Sequence, residues 1–133
     1  MVVHWIEPKN HRDYNAPMSS TPGARVFTLD AARAMLPQIQ ELTAAAAREI
    51  DPLMQQLEAV DENTPEHPRL HDSITSIVTA WAEAVQELGA EAKGLWLVDF
   101  DAGNGYYCWK HPEPTVSHYH GYDDGFAGRM KIV

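Results

Sequence analysis

The chain has 133 residues, with 10 Lys+Arg against 19 Asp+Glu for a formal charge of −9, and 44% of its residues are hydrophobic. That is enough for one globular domain. The few, scattered basic residues argue against binding nucleic acid or anionic lipid, which needs clustered cations on phosphates, and no run of about 20 apolar residues is present to cross a membrane.

Residues 1–26 contain Pro8, Pro17, Pro22 and Gly23 and show neither helical nor strand periodicity, so they read as an N-terminal arm. Its apolar residues, Val2, Val3, Trp5 and Ile6 among them, suit docking on a partner or on the domain itself. The opening MVVHWIEPKN lacks the basic start and apolar stretch of an export signal. With Cys108 as the sole cysteine, which excludes an intrachain disulfide and any multi-thiolate zinc site, this predicts a cytoplasmic protein.

The pattern changes at Thr28, a good N-cap, with Asp30 in the following turn where the helix dipole favours negative charge. Met35, Ile39, Leu42, Ala46, Leu53, Leu57 and Val60 then step by three or four, with Ile50 close to the stripe. The spacing predicts a long amphipathic helix over roughly residues 29–60, with a kink or break expected at Pro37 or Pro52. The polar turn DENTPEHP follows. A second helix is predicted from about Arg69 to Leu88, with Leu70, Ile74, Val78, Trp81 and Val85 on one stripe and Gly89 placed to end it. The short connection makes the two helices an antiparallel hairpin.

After Lys93 the period shortens to two. GLWLVDF (94–100), Tyr106–Lys110 and Thr115–His120 read as strands, divided by a turn with two glycines and by His111-Pro112-Glu113-Pro114. The final GYDDGFAGRMKIV reads as irregular. The expected fold is therefore α+β: a long helical hairpin followed by a small three-stranded antiparallel meander, with residues 27–133 as a single domain. A lone meander has two open edges, and a homodimer or packing of the meander across the hairpin would cover the exposed apolar surface.

FTLDAARAMLP at 27–37, LVDF at 97–100 and YYCWK..EP.V..YH..DDGFAGR from Tyr106 to Arg129 together resemble the prokaryotic domain of unknown function 2203. The resemblance covers roughly residues 27–130, with a shorter connecting segment near Gly103. It implies a fold and points to residues, and it implies no reaction.

The polar residues within that motif, Cys108, Glu113, His120, Asp124 and Arg129, are chemically suited to a metal site. Cys108, Glu113, His120 and Asp124 offer a thiolate, an imidazole and carboxylates for Zn²⁺ or Fe²⁺, while Arg129 and His118 serve a hydrogen-bonded network or orient an anion. A hairpin closing over residues 111–115 would set Cys108 opposite His118 and Tyr106 opposite His120, placing Cys108, His118 and His120 on one face; a slip of one residue would separate them. The bland readings are a buried structural cysteine and a His120–Asp124 pair that pins the tail. A cysteine nucleophile lacks any accompanying glycine-rich elbow or oxyanion-hole motif.

Two functions compete. The first is a non-enzymatic, dimeric accessory module that contacts a larger protein partner through its arm; the second is a metal-binding domain, with or without enzymatic activity, built on the C-terminal meander.

Overall fold

The structure, a computed structural model, describes residues 25–132. The expected arm lies outside the described residues except for Arg25 and Val26. Helix α1 spans Leu29–Ala59 and α2 spans Glu66–Glu87; the strands are β1 (Glu91–Gly94), β2 (Leu97–Asp101), β3 (Tyr106–Lys110), β4 (His118–His120) and β5 (Met130–Lys131). All neighbouring strands are antiparallel, in the order β1-β2-β3-β4-β5.

Thr28 caps α1 as its sequence suggests, its hydroxyl accepting from the Ala31 N–H at 3.0 Å. The helix runs through both Pro37 and Pro52, so neither proline ends it. Helix α2 begins three residues earlier than the apolar stripe indicates, because its polar first turn EHP carries no core residue. Gly89, with φ 92°, terminates the helix in the left-handed conformation that glycine adopts without penalty. The hairpin is sealed by Ile39, Ala46, Ile50, Leu57, Leu70, Ile74, Val78 and Trp81. Within it, Thr43 is fully buried: its hydroxyl donates to the Ile39 carbonyl at 2.7 Å and accepts from Trp81 Nε1 at 2.8 Å.

The sheet has five strands rather than three. Strand β1, EAKG, has neither β-branched nor aromatic residues, and only its pairing with β2 makes it a strand. The tail is not irregular throughout: Phe126–Gly128 form a short 3-10 turn, and Met130 and Lys131 pair with Tyr119 and His118 as an edge strand too short to leave a periodic signal.

Alternation along β2 and β3 sends Val98, Phe100 and Trp109 into the core with Phe27, Ala32, Leu36, Trp81 and Val85, so the meander packs across the base of the hairpin. Arg33 Nε donates to the Val116 carbonyl at 3.1 Å and ties α1 to the loop before β4. The other sheet face carries Asp99, Asp101, Tyr106, Cys108 and His120, all buried although most are polar.

Replacing Thr43 with Val leaves the Trp81 N–H without its acceptor inside the hairpin, and should lower unfolding free energy by about 1–3 kcal/mol in urea titrations, whereas Thr43→Ser should stay close to wild type.

Candidate metal centre

Register builds the site. Pairing of β2 with β3 sets Asp99 opposite Cys108, and pairing of β3 with β4 sets Cys108 opposite His118 and Tyr106 opposite His120, the register expected from the turn. Asp99 and His120 thus belong to strands on either side of β3, roughly 9–10 Å apart at the backbone. Their side chains nevertheless meet over the small Cys108, with His120 Nε2 and Asp99 Oδ2 2.9 Å apart. A bulkier side chain at 108 would stand between them.

The proton inventory is constrained. His120 Nδ1 lies 2.8 Å from the Gly121 carbonyl oxygen, which only accepts, so Nδ1 carries a hydrogen. One further proton is shared between Nε2 and Asp99, either as an imidazolium beside a carboxylate or as a neutral imidazole beside a carboxylic acid. Burial pushes the Asp99 carboxyl above its ordinary 3.8, partly offset by the charge of His120 and the hydrogen bond to it, then by a hydrogen bond with the Cys108 thiol and the charge of Lys93. Burial, reinforced by the charge of Asp99, pushes the Cys108 thiol up to about 12, with the Arg129 guanidinium opposing. Asp99 Oδ1 is buried and has no hydrogen-bond partner of good geometry.

Among the described residues, Asp99, Cys108 and His120 each present a donor atom within 4.8 Å of the others, and all three are buried. The structure therefore brings Cys108 and His120 together, as the sequence suggests, and adds Asp99. The pointer to Asp99 is a charge set inside the apolar run GLWLVDF, on the face opposite Val98 and Phe100, a face it shares with Asp101 at the strand end.

Glu113 and Asp124 are not in that group. Glu113 takes a bidentate pair from Arg129, at 2.9 and 2.7 Å, and accepts from the Lys110 N–H at 2.8 Å, with His118 Nδ1 at 3.6 Å. Burial raises its carboxyl, but the hydrogen bonds from Arg129 and Lys110 and the charges of Arg129 and His118 outweigh this and hold it below its usual range. Asp124 is exposed and accepts from the Gly121 N–H at 3.0 Å. An added Cβ at Gly121 or Gly128 would meet Asp124 atoms at 2.7 and 2.9 Å, so this stretch of chain is folded tightly around its side chain. Arg129 and His118 converge on Glu113 as a network.

Fold and site define an α+β domain with a carboxyl, a thiol and an imidazole buried together on the non-helical face of its sheet. The chain belongs to the family described as "Uncharacterized conserved protein (DUF2203)", whose model matches residues 25–132. No curated protein and no solved structure matches it.

Two variants probe the pair in metal-free protein. Because the folded state raises the Asp99 carboxyl, its contribution to stability is fully present below pH 3.8 and is lost as pH rises through the folded value. Asp99→Asn removes that dependence, so its stability relative to wild type should rise as the pH is raised above 3.8. His120→Ala strands the buried carboxyl and should cost about 3–5 kcal/mol at neutral pH in urea titrations.

Proposed function

We propose that the protein is a metal-binding module that holds one zinc or ferrous ion on Cys108, His120 and Asp99. The observation that carries this reading is the buried Asp99 carboxyl, grouped with a thiol and an imidazole and keeping one oxygen without a hydrogen bond of good geometry. Orphaned buried carboxyl oxygens are costly unless a cation or hydrogen satisfies them. A thiolate and a carboxylate supply two negative charges, which a divalent ion neutralises, and the S, N and O donor set suits zinc or iron rather than magnesium or calcium. The His120 Nδ1–H bond to the Gly121 carbonyl supports the same reading, because it fixes the tautomer whose Nε2 lone pair faces the site. Bonds of about 2.0–2.3 Å around a tetrahedral ion set donors about 3.5 Å apart, so an ion would displace the proton shared by His120 and Asp99, part their atoms from 2.9 Å, and draw in the wider separations, which lie within 4.8 Å.

A second reading, an accessory module acting as a homodimer or on a larger partner, draws support from the open outer edges of β1 and β5 and from exposed apolar residues near them, Met130 at 59% and Phe126 at 41%. Either role fits a reducing cytoplasm, where a lone thiol stays reduced. No helix among the described residues is long and apolar enough to cross a membrane.

Metal content by mass spectrometry of protein purified without chelators, native against denatured, should show one zinc or iron per chain that is lost on unfolding. Cys108→Ser, His120→Ala and Asp99→Asn should each lower that stoichiometry and weaken zinc affinity by about tenfold to a hundredfold or more, whereas Asp124→Asn should not. Unchanged zinc uptake in the Cys108→Ser, His120→Ala double variant would sink the reading.

A further inference from the structure

The donor group is sealed from solvent by a thin cover. Cys108 is 0% exposed, Asp99 2% and His120 3%, yet from Tyr122 to Lys131 every residue except the half-buried Arg129 is exposed. None of these covering residues belongs to either hydrophobic core cluster. The cover is attached by the Tyr122 ring, packed edge-on 5.0 Å from Tyr106, by the pairing of Met130 and Lys131 with β4, and by polar contacts. The Tyr122 hydroxyl donates to Asp101 Oδ1 at 2.7 Å, and the Ile132 N–H donates to the Ser117 carbonyl at 2.8 Å. The strongest attachment is the bidentate Arg129–Glu113 pair, with Arg129 also stacked 4.3 Å from the centre of the Phe126 ring.

The two halves of that pair differ in rigidity. Glu113 sits in the β3–β4 loop, where its N–H donates to the Lys110 carbonyl at 2.8 Å and its carbonyl accepts from Trp109 Nε1 at 2.8 Å, Trp109 being fully buried. Arg129 sits in the exposed segment, which turns at Gly125 with φ 64° and nothing within 4 Å of an added Cβ. One end of the ion pair is thus anchored in the core and the other in an exposed segment that is otherwise held at its two ends, by Tyr122 on Asp101 and Tyr106 and by the β4–β5 pairing.

We infer that residues 121–131 form a strap that opens and closes over the Asp99, Cys108 and His120 group, with Glu113 and Arg129 as its latch. The strap governs how fast ions and reagents reach the buried donors, without supplying a donor itself. This regulation matters for a metal centre and rests on that reading of the site, but the movement is measurable in protein stripped of metal.

Cys108 is the only cysteine, so its alkylation by iodoacetamide, followed by intact mass, reports opening of the strap. In metal-free protein Glu113→Gln, which keeps the guanidinium, should label about ten- to a hundredfold faster than wild type, as expected from loss of hydrogen bonds between charged groups. Arg129→Gln should also label faster, by a smaller factor because it removes the cation that opposes the rise of the Cys108 thiol. The double variant should label no faster than the quicker single one, because both break the same latch. Lys131→Gln, at an exposed strap position outside the latch, should label at the wild-type rate. Labelling of the latch variants at the wild-type rate would overturn the inference, as would an increase fully accounted for by the change in their global unfolding free energy in urea. Failure of the metal reading is a separate result: wild type that takes up no zinc while the latch variants still label faster.

Discussion

The contact of Asp99 with His120 over Cys108 is the constraint on which the rest of the C-terminal half depends. A carboxyl group at 2% exposure keeps its place only where something answers its charge or its proton. Here an imidazole does so for one oxygen at 2.9 Å, while the other has no hydrogen bond of good geometry and only the Cys108 thiol and the charge of Lys93 acting on the carboxyl. The arrangement requires three strands in one register, a small residue on the middle strand, and a cover that keeps water from competing. Each of these is met by a different part of the chain: the β3–β4 loop, Cys108, and the segment after Gly121.

The hairpin explains why a five-stranded sheet can carry such a face. Phe27, Leu36, Trp81 and Val85 fill one side of the sheet with Val98, Phe100 and Trp109, so the alternate residues of β2 and β3 are free to be polar without loss of core. Arg33 and Gln40, reaching from α1 to carbonyls of Val116 and Pro114, hold the loop that carries Glu113. The helices therefore act on the site indirectly, by fixing the backbone from which the latch and the donors project.

Much of this is legible in the residues. Apolar steps of three and four read out both helices, Thr28 and Gly89 mark an entry and an exit, and the short turn after Lys110 fixes which residues face each other across β3 and β4. What escapes reading is governed by partners distant in sequence. Strand β1 is made of helix-forming and small residues and exists because β2 pairs with it. Strand β5 spans Met130–Lys131, too short to show a period. Asp99 lies in a run that looks wholly structural, and only the register of two neighbouring strands shows that it meets His120. Glu113 and Asp124 look like ligands by type and spacing. Their oxygens are directed instead to Arg129 and to the Gly121 N–H, partners that chemistry alone does not distinguish from a cation.

The same small set of polar residues thus divides into two groups with different work. Asp99, Cys108 and His120 face one another beneath the surface, and Glu113, Arg129 and Asp124 shape and hold what lies above them. X-ray absorption at the metal edge of zinc-loaded protein tests the central assignment most directly. The account predicts one sulfur neighbour at about 2.3 Å together with nitrogen and oxygen neighbours at about 2.0–2.2 Å, with the sulfur signal lost in Cys108→Ser. A zinc shell of nitrogen and oxygen alone in the wild-type protein would contradict it.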